Sequence, residues 1–351
     1  MHKKVSTLKI AATYIGTVVG AGFATGQEIL QFFTSFGIGG IWGIVFSTIL
    51  FMLFGYIIIE LGLKLNTKSH LEIIKTTSGK FIGGIMDLVI TFFLFGFFTT
   101  MIAGTGALFS QQFGWSSILG CIIMAVATAI TVMTGLDGVI NSISIVVPFL
   151  LISVFGICIY TITKNPIDFS AMPVLSSNSL INNWFIAAFL YVSYNTIMSI
   201  SVLGPIGANS KDKKAILSGT VLGGLGLGAG ALLINLAMTS IGESTSFEVP
   251  MLYIASNISH IVLIAFSAVL IAEIYTTAVS SLFGFAVRVF EFSKLQDKKT
   301  LTIIGITVIA FFASLFGFSN LVKYLYPIAG YSGIILLGCF LYNWVKQKNN
   351  S

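Results

Sequence analysis

Ten apolar runs dominate this chain, and they leave it few folds to choose from. They cover roughly residues 8–33, 38–62, 81–112, 117–134, 138–163, 183–206, 215–241, 258–290, 301–318 and 324–345. A helix needs about 20 apolar residues to cross a bilayer. Inside lipid, a spanning segment must satisfy its own backbone hydrogen bonds, so runs of this length can only be helices. The composition agrees: 56% of the 351 residues are hydrophobic and 9% are charged, against roughly 25% charged in soluble domains. The sequence predicts an all-α membrane protein of about ten transmembrane helices. The third and eighth runs are the longest and are expected to tilt or project beyond the bilayer.

The net charge of +6 would suggest an acidic partner in a soluble protein. Here it has a topological explanation. With a cytoplasmic N-terminus, only Lys164 and Lys323 of the 18 Lys and Arg residues fall outside the cytoplasmic segments, the bias of the positive-inside rule. This predicts a multi-pass protein of the cell membrane with both termini in the cytoplasm, surrounded by lipid and with no role for nucleic acid. Lys3, Lys4 and Lys9 before the first run resemble the start of a signal peptide. The run is too long for a signal-peptide core and no small-residue cleavage site closes it, so a retained helix is expected. Cys121, Cys158 and Cys339 all lie in apolar runs and read as packing residues, without a disulfide framework or metal cluster.

The first run contains Gly16-Thr17-Val18-Val19-Gly20-Ala21-Gly22-Phe23-Ala24-Thr25-Gly26-Gln27-Glu28. Each glycine lowers helix propensity by roughly 1 kcal/mol relative to alanine, and a carboxylate in hydrocarbon costs roughly 3 kcal/mol. One reading is a helix broken near the bilayer midplane, with freed carbonyls for a cation and freed N–H groups for an anion. The other is close helix packing, since Gly16-xxx-Gly20 and Gly22-xxx-Gly26 both fit the small-residue motif. A dinucleotide-binding loop is excluded, because no strand precedes the run and no acidic residue follows at the required distance. Half a chain later, the sixth run carries polar residues through its middle, from Tyr191 to Ser201, and then Gly204-Pro205. Paired interruptions in two halves point to an inverted repeat with a midplane site. The expectation is a single domain over 1–351, with repeats at about 5–163 and 180–345, joined by the loop Lys164–Asn182, and with helices 1 and 6 broken.

The segment Gly16-Thr17-Val18-Val19-Gly20-Ala21-Gly22 resembles the unwound first helix of LeuT-type transporters of the amino acid–polyamine–cation superfamily. Through Gly26-Gln27-Glu28 it resembles the YkvI-like family of bacterial membrane proteins, a similarity that extends over the whole chain. The LeuT-type resemblance implies that the carbonyls of Gly16 and Val19 help to hold sodium, and that the amides of Gly20, Ala21 and Gly22 face a solute carboxylate. It also implies that hydroxyls of the eighth helix complete the sodium site. Thr17 and Phe23 stand where sodium-coupled amino-acid members usually carry Asn, so a second, substrate-linked sodium is not expected. The third run has no tyrosine from Thr91 to Phe109, where many members place one against the substrate carboxylate.

In the eighth run Glu273 is nearly central, and Thr276, Thr277, Ser280 and Ser281 follow on the same stripe of a helix. These are the candidates for the coupling ion, with sodium at Gly16, Val19, Thr276 and Thr277. The same hydroxyls can instead bond to their own helix. A midplane carboxylate is a functional candidate in itself; Glu273 would bind sodium or a proton, or pair with an amine on the solute. Glu28 would gate the outer vestibule or reach the interface, and Asp87 would line the cytoplasmic exit. Tyr191, Ser193, Tyr194, Asn195 and Ser199 are the solute candidates on the sixth helix, the tyrosines alternatively serving as core. The six glycines between Gly219 and Gly230 read as packing or hinge positions, and Glu243 and Glu248 as part of an outer lid. No catalytic residues emerge, since His2, His70 and His260 lie outside the spans. The function expected is ion-coupled transport of a small organic solute, an amino acid or related amine or carboxylate. A transporter-fold receptor that binds without translocating is the alternative. No cofactor is expected beyond bound sodium.

Overall fold

The computed structural model describes residues 6–66, 70–134, 137–167, 169, 179–210, 212–293 and 298–349. Most of the expected loop between the halves, together with Lys3, Lys4, Lys68, Lys211 and Lys294, lies outside the described residues. The first run is split into three helices: α1 Thr7–Val18, α2 Ala21–Ala24 and α3 Gln27–Phe32. Ser6 caps α1 by accepting the Lys9 N–H. The break follows from Thr17-Val18-Val19, whose β-branched side chains fit poorly on a helix, and from Gly20. Val19 (φ −74°, ψ 106°) and Gly20 (φ −123°, ψ −171°) are extended. A second corner forms at Gly26, at φ +82°, a left-handed conformation open to glycine at little cost.

The chain continues as α4 Ile38–Leu65, α5 His70–Phe113, α6 Ser117–Thr134, α7 Asp137–Lys164, α8 Trp184–Ala208, α9 Lys213–Ser240, α10 Pro250–Ser256, α11 His260–Ser293, α12 Lys299–Ser314 and α13 Phe318–Asn349. Among the described residues, eight of these are long and apolar enough to cross a membrane singly, and α12 is a shorter apolar helix. Exposed Ile49, Phe92, Ile152, Ile309 and Phe312 belong to the apolar exterior that such a protein turns to lipid. Gly79 (φ +80°) interrupts α5, so residues 70–78 form a helical segment where the sequence suggested only a loop.

The expected break in the sixth helix is absent: α8 runs without interruption from Trp184 to Ala208. Its polar side chains are satisfied without unwinding. Ser193 Oγ donates to the Gly330 carbonyl (2.7 Å), and Asn195 Nδ2 to the Tyr191 carbonyl (2.9 Å). Ser199 Oγ donates to the Thr196 carbonyl (3.2 Å). The irregularity here is Pro205, which lacks an N–H and so leaves the Ser201 carbonyl without its helical donor.

The two halves pack reciprocally. α1 packs on α9 and α8 on α4; α7 packs on α9 and α11, as α13 does on α4 and α5. α6 meets α11 as α12 meets α5, while α5–α11 and α6–α12 pair directly. Direction follows from the glycine contacts. Gly219 lies against Ile10, Gly223 against Tyr14 and Gly230 against Phe23, so α1 and α9 run parallel. Gly224 lies against Met52 and Gly228 against Thr48, so α9 and α4 are antiparallel. Gly39 meets Trp184 and Gly62 meets Gly204, which makes α8 parallel to α4 and therefore opposed to α1.

The α9 glycines thus let two helices approach on different faces. At Gly223 a methyl group would come within 2.8 Å of Tyr14, whose hydroxyl donates to the Phe51 carbonyl at 2.8 Å. Gly223→Val should therefore destabilise the protein by about 1–3 kcal/mol, seen as a lower Tm in detergent. Gly305→Ala, where an added methyl meets nothing within 4 Å, should leave Tm unchanged or slightly higher.

Candidate ion and solute site

The break in α1 ends the hydrogen-bond ladder at Ile15, whose carbonyl accepts the Val19 N–H at 2.8 Å. The next carbonyls, beginning with Gly16, have no donor in their own helix. The residues around the break line a cavity of about 690 Å³. Gly16, Thr17, Val19 and Gly20 line it from α1; Glu273, Thr276, Thr277, Ser280 and Ser281 line it from α11. Every residue expected to hold the coupling ion lines this one cavity.

Glu273 is 4% exposed, and its Oε2 has no hydrogen-bond partner among the described residues. Thr277, one turn further along α11, lines the same cavity. The Thr276 hydroxyl donates to the Glu273 carbonyl (3.0 Å) and the Ser280 hydroxyl to the Thr276 carbonyl (2.8 Å). Both keep their oxygen lone pairs for a cation. The set offers backbone carbonyls, hydroxyls and one carboxylate, all hard oxygen donors suited to a small hard cation. No cluster of three or more His, Cys, Asp or Glu side chains occurs among the described residues.

The solute candidates divide. Gly20 lines the cavity, and Ala21 and Gly22 are buried next to it. Tyr191, Ser193, Tyr194, Asn195 and Ser199 do not reach it. Because α8 is continuous, it presents instead Ile197, Met198, Ser201 and Val202, which sequence reasoning missed. Only Pro205, one turn beyond Ser201, signalled them. Asp87 forms an ion pair with Arg288 (3.0 Å), and Arg288 lines the cavity with Val287 at the late end of α11. Sequence reading named Asp87 but not its partner, because two positions 201 residues apart carry no local signal.

Glu28 does not project from the outer end of the first run. It is 5% exposed, with Gly22 directly against its carboxyl group, and it accepts a hydrogen bond from the Tyr194 hydroxyl. α10 packs against the Thr25–Gly26 corner beside it. The Met251 N–H donates to the Thr25 carbonyl (3.0 Å). The Gln111 side chain pairs with both backbone groups of Val249 (2.9 and 3.1 Å). Glu243 holds the Tyr253 hydroxyl at 2.6 Å within the same segment.

A broken first helix facing a hydroxyl-bearing eighth, in two reciprocally packed halves, defines a multi-pass membrane protein of the LeuT-type transporter fold. Among solved structures, it is similar to MhsT in complex with L-phenylalanine: TM-score 0.61, 17% identity, over 97% of this chain and 88% of that one. It is also similar to the substrate-bound, outward-open state of a Na⁺-coupled sialic acid symporter, at TM-score 0.62, 13% identity and 97% and 80% of the two chains. The inward-facing conformation of Mhp1 gives 0.61, 14%, and 95% and 76%. These identities show the fold alone. In sequence, the chain is similar to the uncharacterized membrane protein YkvI of Bacillus subtilis (strain 168), 29% identical over 344 residues, 97% of this chain and 96% of that protein. YyaD of the same organism is 29% identical over 338 residues, 95% and 96% of the two chains. No family model matches the chain.

Gly20 and Gly22 separate by experiment. A methyl group on Gly20 meets nothing within 4 Å, whereas one on Gly22 would collide with the Glu28 carboxyl group. Gly20→Leu should fold with near-native Tm while filling the cavity beside the break, read as slower alkylation of Met198→Cys. Gly22→Leu should lower Tm by displacing Glu28. Equal Tm losses in the two variants would return both glycines to a packing role.

Proposed function

We propose that the protein is an ion-coupled secondary transporter of a small organic solute, an amino acid or a related amine or carboxylate, working by alternating access in the cell membrane. The observation that carries this reading is the buried Glu273 Oε2, without a hydrogen-bond partner among the described residues, lining the same cavity as the break in α1. A buried acceptor left unsatisfied costs roughly 1–3 kcal/mol, and more when charged. Such a cost suits a site that a cation fills during the cycle. Sodium fits the carbonyl and hydroxyl donors at Gly16, Val19, Thr276 and Thr277; a proton on Glu273 is the other coupling ion the site supports.

The cavity extends from the break toward Ser201, Val202 and Arg288, late in α8 and α11. The positive-inside rule puts that end, and both termini, in the cytoplasm. The conformation is then inward-facing, with α10 as the closed outer cover. Coupling would follow from one requirement: the halves rearrange readily only when the ion has bridged α1 and α11.

Sodium should raise the Tm of the purified protein over an equal concentration of choline, by binding the folded state. Glu273→Gln and Thr277→Val should abolish that shift. In proteoliposomes, uptake from a mixture of labelled amino acids and amines should follow an inward sodium or proton gradient. Glu273→Gln should lose the gradient dependence while keeping solute exchange; unchanged gradient dependence would remove Glu273 from coupling. Solute binding without flux would make the protein a receptor.

A further inference from the structure

We infer that the solute is an amine without a carboxylate beside its ammonium group, and that Glu28 is its counter-ion. This rests on the transporter reading above and narrows it.

Glu28 is 5% exposed, and the ion pairs seen among the described residues, Lys64–Glu60 and Arg288–Asp87, do not involve it. What holds its carboxyl group is the Tyr194 hydroxyl. A buried carboxylate needs a cationic or hydrogen-bonding partner to offset its lost hydration, and a single phenol is a small share of what two oxygens accept.

Its position decides the ligand class. The Glu28 Oε1, Cδ and Cγ atoms crowd the point where a side chain on Gly22 would begin. The LeuT-type resemblance assigns the amides of Gly20 to Gly22 to a solute carboxylate. Here the chain's own carboxylate already lies against Gly22. Two carboxyl groups at contact distance cannot both ionise in a buried site. A cation there would instead favour the ionised form of Glu28 and offset its lost hydration.

The walls fit a cation as well. The Tyr194 hydroxyl meets the Glu28 carboxyl group, and the Tyr191 ring lies 5.7 Å from that of Tyr194. Phe32 joins them, its ring 5.5 Å from Tyr191 and 5.6 Å from Tyr194; Tyr326 is 5.2 Å from Tyr194 and 5.0 Å from Phe97. Aromatic faces around an acidic group are a setting that ammonium ions favour. The path is short: Gly20 and Ile197, one turn along α8 from Tyr194, already line the cavity, and the space beside Gly20 is open. In the present conformation the rings are closed on one another. An entering ammonium takes the carboxylate from the Tyr194 hydroxyl and parts them.

The test uses the full-length purified protein and two matched triads: phenethylamine, L-phenylalanine and hydrocinnamate; and isoamylamine, L-leucine and 4-methylpentanoate. Within a triad the amine should stabilise the protein, and compete for uptake in proteoliposomes, at concentrations at least roughly tenfold below the amino acid, with the acid inert. Glu28→Gln should lose that preference while keeping its Tm shift with sodium, which shows that it folds. Glu28→Asp, retaining the charge, should keep the preference. An amino acid preferred over its amine, or an amine preference that survives Glu28→Gln, would overturn the inference and leave transport standing. Failure of both amines to bind at millimolar concentration would overturn it too. Amine binding that depends on Glu28 without flux would support it while removing the transport reading.

Discussion

Backbone hydrogen bonding in an apolar surrounding is the constraint on which this structure turns. Nearly every residue within the spans is helical because lipid offers no other partner for its amide and carbonyl. The exception is the stretch after Ile15, where extended Val19 and Gly20 strand the carbonyls of the last turn of α1. An exposed break of this kind would be too costly to keep. It persists because α9 and α8 bury α1 on its other sides and α11 brings oxygen-bearing side chains to the open one. The glycine stripe on α9 and the polar stripe on α11 therefore serve the same feature, one by enclosing it and the other by facing it.

The reciprocal packing explains how such a site can be moved. The break belongs to the first half of the chain and the facing Glu273 to the second. Any rotation of one half against the other changes the separation of carbonyls and carboxylate. The two ends of the site differ in chemistry. Toward α10 there is a closed seal, with Glu28 and Tyr194 set among aromatic rings and Gln111 pinned to Val249. Toward the late ends of α8 and α11 there is an open cavity, bordered by the Arg288–Asp87 pair. Under the proposed alternating access, this asymmetry is one stage of the cycle.

Much of this was legible in the sequence because its signals are local. Run length gave the helices, the four glycines gave the break in α1, and the i, i+3, i+4 spacing gave the stripe from Glu273 to Ser281. What depended on long-range partners was not. Ser193 and Asn195 looked like signs of unwinding, but a carbonyl 137 residues away satisfies the serine and the helix's own Tyr191 carbonyl satisfies the asparagine. Glu28 read as an outer gate or as a side chain reaching the interface; its burial, with Gly22 against its carboxyl group, removes the interface reading. The Asp87–Arg288 pair and the cavity face of α8 required the third dimension.

The central claim is that the cavity beside the break opens to one side of the membrane in one state and to the other in the next. It is tested most directly by side-specific labelling of Met198→Cys, with Cys121, Cys158 and Cys339 replaced by serine, using a membrane-impermeant maleimide on right-side-out and inside-out vesicles. The account predicts modification from the cytoplasmic face, at a rate that changes when sodium is added or the pH is lowered, and that change should be absent in Glu273→Gln. Modification from one face only, at a rate indifferent to sodium and to pH, would contradict it.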